Sequence, residues 1–253
     1  MQSLKDNLEI TFVSTVPGLT SIPECLPQST KKFIPEWWKK LPYTVPRDNF
    51  SFPGVLAGVT IKACPAFPEY FSQGVVLPMW TDTLLRYNEK ESIWTWKTSD
   101  PIFAWDVHSS KQLTDHKKPV YQGKTSPFVF KAISPWRAIT PPGVSLYQFP
   151  VFYDFNEDFS VLPGIIRTDV WHTLNQQVLF HSSKEEIFIK RGTPFVHYIP
   201  FVRQDTVLNI RDADTKDTQI FSDLDRLIST KFIPNKQYVN LLKNSKESEL
   251  DNE

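Results

Sequence analysis

Five histidines and two cysteines are the side chains of this sequence best suited to hold a metal or act as a nucleophile. None of them forms an H-x-H, HExxH or CxxC pattern, the spacings with which zinc sites are usually built. His172, His181 and His197 follow apolar or aromatic neighbours, where a hydrogen-bonded structural imidazole is commoner than a ligand. The sequence therefore predicts no metal and no cofactor, unless three histidines meet across neighbouring strands.

Motifs for a serine nucleophile and for phosphate binding are missing from the sequence. It has no G-x-S-x-G turn that would expose a serine, and its eight glycines form neither a G-x-G-x-x-G pattern nor a P-loop. Cys25 and Cys64 fit reduced, buried thiols better than a disulfide, although a single bridge between them stays open. The residues thus favour a protein that is not an enzyme, and they identify no catalytic residue.

Aromatic and charged side chains at predicted turns form the best candidate for a ligand site. Trp136 and Arg137 precede a Pro-Pro-Gly corner, and Arg167, Asp169 and Trp171 follow an apolar strand. A ligand or a neighbouring subunit can reach residues at such turns. Structural pairing of arginine with aspartate is the alternative interpretation. The candidate binding residues are Trp136, Arg137, Arg167, Asp169, Trp171, His172 and His197.

Charge and hydropathy argue against two classes of partner. Lys plus Arg and Asp plus Glu both number 28, so the formal net charge is zero and no long-range field attracts a nucleic-acid backbone. No apolar run approaches the ~20 residues of a membrane span, and the charged N-terminus lacks a signal-peptide pattern. We therefore expect a soluble protein of a cytosol-like compartment that binds neither nucleic acid nor membrane.

Alternating apolar residues predict a mainly β protein. Aromatic residues make up 14% of the chain, and 21 prolines accompany only eight glycines, a composition that suits short strands joined by stiff loops. Strands are predicted at 8–16 and 58–63, with a proline-rich corner at 134–143. Four closely spaced runs follow within 161–203. This pattern is typical of an antiparallel β-sandwich or a distorted barrel.

Helical patterns accompany the β strands. Apolar residues at near-helical spacing predict a short helix at 34–41. An amphipathic helix containing Ile220 and Phe221 is predicted next, and Pro234 begins a second, shorter one that ends at Leu242. The predicted domains are a β-rich body at 1–203 with a helical insert near 30–41, a C-terminal helical extension at 204–242, and a disordered acidic tail at 243–253.

Two runs of the sequence, LPGIIRTDVW and EEIFIKRGTPFVHYIPFVR, are similar to the strand–turn–strand core of the dUTPase-like β-clip fold. That family has a G-V/I-I/V-D-x-x-Y hairpin whose aspartate activates water and whose tyrosine packs on the sugar. Arg167 stands at the aspartate position here, and Trp171 lies one residue beyond the tyrosine position. The family's phosphate loop and glycine-rich C-terminal arm are also missing. The resemblance therefore implies a β-clip-like fold, and a dUTPase activity is not expected.

A broader resemblance covers residues 29–203. It rests on the runs KKFIPEWWKKLP, TIKACPAFPEYFSQGVVLPMWTD, SPWRAITPPGVSL, LPGIIRTDVW and IKRGTPFVHYIPFVR. These resemble an uncharacterised family common in marine bacteriophages, especially those of cyanobacteria. This sequence departs from the family's pattern at Arg167. The family has no assigned activity, so the resemblance implies a viral setting and a fold but no reaction.

Two functions stay open at this point. The first is a phage-encoded structural or interaction protein that self-associates through its β body or binds other virion proteins, in the host cytoplasm during infection or in the virion. The alternative is an intracellular small-molecule or nucleotide-binding protein or hydrolase made during infection. A large exposed apolar patch would favour the first function. A concave site with converging polar groups would favour the second.

Overall fold

Antiparallel strands dominate the protein, and the predicted mainly β fold is confirmed. The computed structural model describes residues 8–44, 60–88, 93–100, 105–108, 128–181 and 186–229. The chain divides into two compact units, one within residues 1–33 and 73–204 and the other within 34–72 and 205–253.

Thirteen strands and three α-helices lie in the described residues. The strands are β1 (Thr11–Ser14), β2 (Gln28–Ser29), β3 (Val75–Pro78), β4 (Thr83–Asn88), β5 (Ile93–Thr98), β6 (Trp105–His108), β7 (Val129–Ile139), β8 (Val144–Pro150), β9 (Phe159–Val161), β10 (Gly164–Ile166), β11 (Thr173–Phe180), β12 (Glu186–Ile189) and β13 (Pro194–Val202). The helices are α1 (Glu36–Lys40), α2 (Ala66–Ser72) and α3 (Thr215–Ser229).

All strands belong to the first unit and form three antiparallel sheets, consistent with a β-sandwich. The first sheet has the order β1-β7-β11-β9, and β6 also pairs with β7. The second has the order β10-β8-β13-β3-β2, and the third has the order β12-β4-β5. The strand β13 is the second sheet's central strand, because β8 and β3 pair with its two edges.

Aromatic side chains fill the core of the first unit. The Phe130 side chain is fully buried on β7. Its ring centroid lies 4.7 Å from that of Phe180 on β11 and 5.3 Å from that of Trp94 on β5, both nearly edge to face. Trp105 on β6 packs against Phe180 at 5.6 Å. Four strands therefore meet at one aromatic cluster, whose edge-to-face geometry is favoured by the ring quadrupoles.

Two local predictions were wrong. The strand predicted at 58–63 is, where it is described, a 3-10 turn at Ile61–Ala63, whose preceding residue Thr60 accepts a hydrogen bond from the Lys62 N–H. Such a local side-chain bond gives the backbone an alternative to a strand. The proline-rich corner begins later than predicted, because β7 continues through Pro135 at a point where its register with β11 shifts.

The second unit contains all three helices. Trp38 of α1 stacks on Phe67 of α2 with ring centroids 5.1 Å apart and meets Phe71 edge to face at 5.2 Å. Asp214 precedes α3, and Asp217 accepts from the Asp214 N–H while its own N–H donates to the Asp214 carboxylate, which is a reciprocal N-terminal cap.

The helix predicted at 34–41 and the first C-terminal helix are confirmed by α1 and α3. The helix predicted to begin at Pro234 and the tail at 243–253 lie outside the described residues. None of the helices in the described ranges combines the length and the apolar character that a membrane span requires.

Candidate functional site

Asp169 joins three parts of the first unit. One oxygen of its carboxylate accepts a hydrogen bond from the Gly143 N–H at 3.0 Å. The Arg203 guanidinium donates to both oxygens, at 2.9 Å and 2.5 Å. Gly143 follows two prolines and has a φ of +83°. This left-handed conformation favours glycine. The carboxylate therefore ties the turn after β10 to the corner before β8 and to the end of β13.

The electrostatics of this pair fit a structural role. The hydrogen bond from Arg203, supported by the one from Gly143, holds the pKa of Asp169 well below its usual range. Asp169 in turn raises the pKa of Arg203. The guanidinium also donates to the Val144 carbonyl at 3.2 Å and to the Ser145 hydroxyl at 2.6 Å. The polar groups of both side chains are thus engaged within the fold.

We expect Asp169→Asn to lower the urea midpoint of unfolding at pH 7, because an amide presents donors where Arg203 needs two acceptors. The pKa of Asp169 in the folded protein lies below the ordinary value of 3.8. The stabilisation that its pairing with Arg203 gives is therefore complete at pH values above 3.8 and is lost as the pH falls below that value. Asp169→Asn should therefore lose less stability than the wild type between pH 7 and pH 3. Equal losses in both proteins would contradict the assigned role.

The turn after β10 exposes three of the predicted site residues. The Trp171 N–H donates to the Arg167 carbonyl at 2.7 Å. The Thr168 hydroxyl lies 2.8 Å from that of Thr140, and the Thr168 carbonyl accepts from Nδ1 of His172 at 2.8 Å. Trp171 is 63% exposed, and Arg167 and His172 are exposed as well. These side chains lie on the surface of a turn that its own backbone and Asp169 hold in place.

Trp136 and Arg137 lie on β7 and differ in exposure. Trp136 is buried in the core. The half-buried Arg137 donates to the Ser134 carbonyl at 2.9 Å and to the Trp136 carbonyl at 3.2 Å. The turn after β10, which leads into His172, lies beside the same strand, since the Ala138 N–H donates to the His172 carbonyl. Trp136 therefore contributes to packing, and Arg137 binds backbone carbonyls of its own strand.

His197 is fully buried in the central strand β13. Its Nε2 lies 2.8 Å from the Gln73 carbonyl and 3.0 Å from the Thr30 hydroxyl. Burial lowers the pKa of His197, and the hydrogen bond to Gln73 opposes that effect. A neutral imidazole that donates from Nε2 to the carbonyl fits this environment.

The histidines that the structure describes do not meet as a metal-binding group. Within the described part of the chain, no three His, Cys, Asp or Glu side chains are grouped so that they could hold a metal ion. His181 directs its Nε2 to the Ser160 hydroxyl at 2.7 Å. His116 lies outside the described residues. The structure does not bring His172, His181 and His197 together, which is the arrangement that would have favoured a metal site.

Both cysteines are free. Cys25 is buried, with its Sγ 3.5 Å from the Trp80 carbonyl, and burial raises its pKa. This thiol is therefore a poor nucleophile. Cys64 was predicted to be buried but is exposed, because the segment that contains it is a 3-10 turn and not an interior strand.

An apolar surface on the second sheet was not identified from the sequence. In the pairing register, Ile165 of β10 lies opposite Tyr147 of β8, which lies opposite Ile199 of β13. Directly paired residues share one face of a sheet. Tyr147 stacks on Phe149 with centroids 5.6 Å apart and on Phe201 at 4.0 Å. We call these five residues the aromatic face.

The aromatic face is apolar and partly exposed to solvent. Ile165 is 59% exposed, and Tyr147, Phe149, Ile199 and Phe201 are half-buried. An alternating strand normally turns such residues inward and polar residues outward. Here the exposed side of three adjacent strands is apolar.

Polar side chains of β8 and β13, on the side opposite the aromatic face, meet one from β11 of the first sheet in the core. Gln148, Gln176 and Tyr198 are all buried. The side-chain amide of Gln176 donates to the Tyr198 hydroxyl at 2.7 Å, and that hydroxyl donates to the side-chain oxygen Oε1 of Gln148 at 3.3 Å. Burial raises the pKa of Tyr198 beyond its usual range. These hydrogen bonds reduce the free-energy cost of burying the polar groups.

No family model matches this chain, and no curated protein matches it. Among solved structures, the native dUTPase of EIAV is similar to 56% of this chain, with 86% of that protein covered, 11% sequence identity and a TM-score of 0.30. A TM-score this low carries no argument about fold or function.

Proposed function

We propose that this chain is a phage-encoded structural or interaction protein that self-associates through the aromatic face. The observation that carries the proposal is the apolar, partly exposed outer side of β8 and β13, where Tyr147 stacks on Phe149 and Phe201. Apolar surface that is contiguous and exposed marks interaction sites in soluble proteins. Aromatic side chains are the residues that interfaces favour.

A second copy of the chain is the partner that this face fits best. The formal net charge of the protein is zero, so two copies do not repel each other at neutral pH. The face is a sheet surface made of uncharged side chains, which can pack on an identical surface about a two-fold axis. Two copies of the aromatic face can therefore pack together without charged residues at the interface.

The viral setting of the proposal rests on the sequence motifs shared with the marine bacteriophage family. It places the protein in the host cytoplasm during infection or in the virion, beside other virion proteins. Quantitative mass spectrometry of purified particles and infected-cell lysate tests this part. Many copies per particle would support a packaged structural protein, whereas abundance in lysate with none in particles would count against the structural role.

Replacing Ile165 by lysine should dissociate the oligomer. A buried ammonium without a partner opposes association, and we expect the dissociation constant to rise by about tenfold or more, or ~1.4 kcal/mol. Ile139→Lys is the matched control, because Ile139 is another strand isoleucine, 42% exposed, on the first sheet. Sedimentation velocity at several protein concentrations measures both variants.

The expected pattern is an oligomer for the wild type and for Ile139→Lys, and a monomer for Ile165→Lys at the same concentration. A wild type that stays monomeric at high concentration would reject self-association. Equal weakening by both lysine variants would reject the aromatic face as its location.

A further inference from the structure

A cavity of about 270 Å³ opens in the loop that connects β8 to β9. Five aromatic side chains contribute to its wall: Phe152, Tyr153, Phe155, Phe159 and Phe195. The volume is close to the roughly 300 Å³ at which small-molecule pockets begin. All of its lining residues belong to the first unit, and none belongs to the aromatic face.

The cavity has an acidic character. Among the described residues that line it, Asp154 is the only one with a charged side chain. Partial burial raises the pKa of the Asp154 carboxyl, although the residue as a whole is exposed at the cavity mouth. A carboxylate beside apolar rings is poorly solvated and is favoured by a cationic partner.

The backbone around Asp154 is strained in a way that positions the rings. Tyr153 has a φ of +66° and Phe155 a φ of +51°, and non-glycine residues rarely adopt this left-handed conformation. Their ring centroids lie 6.3 Å apart with planes at 89°. Strain of this kind is concentrated at ligand sites, where the surrounding structure holds it.

The rest of the loop is fixed by hydrogen bonds. The Asn156 side-chain oxygen accepts from the N–H groups of Asp158 and Phe159 at 2.9 Å and 3.1 Å. The Ser160 hydroxyl, also in the cavity wall, lies 2.7 Å from Nε2 of His181. The polar lining residues Asn156 and Ser160 are thus preorganised, which reduces the entropy lost when a ligand binds.

We propose that this cavity binds a small organic cation of the substituted-ammonium class. Aromatic rings attract a cation through the negative faces of their quadrupoles, and the Asp154 carboxylate supplies the opposite charge. A phosphate or a carboxylate ligand would be repelled by Asp154, the charged side chain among the described residues of this wall. Phe152 of the cavity lies 6.2 Å from Phe149 of the aromatic face, ring centroid to ring centroid, but the proposal does not depend on self-association.

Titration of the protein with choline and with tetramethylammonium, followed by isothermal calorimetry and protein NMR, tests the proposal. The uncharged tert-butyl analogue of choline, in which carbon replaces nitrogen, is the ligand control. We expect choline to bind at least about tenfold more tightly than this analogue, because the attraction to rings and carboxylate requires the positive charge. Chemical-shift changes should centre on residues 152–160.

Variants locate the site. Asp154→Asn should weaken choline binding by about tenfold, and Phe155→Leu, which removes an aromatic ring but keeps apolar volume, by about threefold or more. Glu157→Gln is the matched control, because Glu157 is an exposed carboxylate of the same loop outside the lining. The chemical-shift dispersion of the NMR spectrum verifies that each variant is folded.

Three results would overturn the proposal. The first is the absence of binding of either cation by the wild type. The second is equal affinity for choline and its uncharged analogue. The third is equal choline affinity in folded Asp154→Asn and Glu157→Gln.

Discussion

Gly74→Ala should lower the free energy of unfolding by about 3 kcal/mol or more, an effect near the upper end for single substitutions. Gly74 has a φ of +72°, and a Cβ built on it would lie 2.1 Å from the Tyr198 carbonyl oxygen of β13. The obstructing atoms belong to the backbone of a central strand, so they cannot move aside without breaking the pairing of β13 with β3. Urea denaturation measures the loss.

Gly18→Ala is the matched control for that experiment. Gly18 has a φ of +80° but no atom within 4 Å of its added Cβ. The control therefore isolates the cost of the left-handed conformation, about 1–2 kcal/mol. Equal destabilisation by the two substitutions would show that the close approach of Gly74 to β13 contributes nothing.

Phe130→Ala should lower the free energy of unfolding by about 3–5 kcal/mol, the usual cost of removing a fully buried phenylalanine. The substitution leaves a cavity among Phe180, Trp94 and Trp105, each of which loses its edge-to-face contact with the Phe130 ring. Phe188→Ala is the control, because Phe188 is also a strand residue but is 60% exposed.

The control should change stability by about 0.5 kcal/mol or less. Urea denaturation of both variants, with tryptophan fluorescence as the signal, gives the comparison. A loss below about 1 kcal/mol for Phe130→Ala would contradict the central place of this cluster in the core.

The fold class could be predicted because apolar residues alternate along many short runs, and Trp94 with Trp96 is one example. The predictions failed where a local or tertiary contact overrides the pattern. The side chain of Thr60 favours a 3-10 turn over a strand. Pro135 stays within β7 because the register with β11 shifts there, so that no N–H donor is needed at this position.

The site residues were harder to predict, because their roles depend on partners distant in the sequence. Arginine–aspartate pairing was one interpretation of the turn at Arg167, but the partner of Asp169 is Arg203, 34 residues away. The exposure of Tyr147 depends on the strand register, which the sequence does not reveal. The left-handed Tyr153 has no signal either, since tyrosine does not mark that conformation.

Hydrogen exchange at low and high protein concentration tests self-association through the aromatic face most directly. The strands β10 and β1 are each at the edge of a sheet, and only β10 contributes to the face. We predict that exchange in β10 slows at high concentration while exchange in β1 stays unchanged. Exchange in β10 that is the same at both concentrations, or slowing confined to β1, would contradict the account.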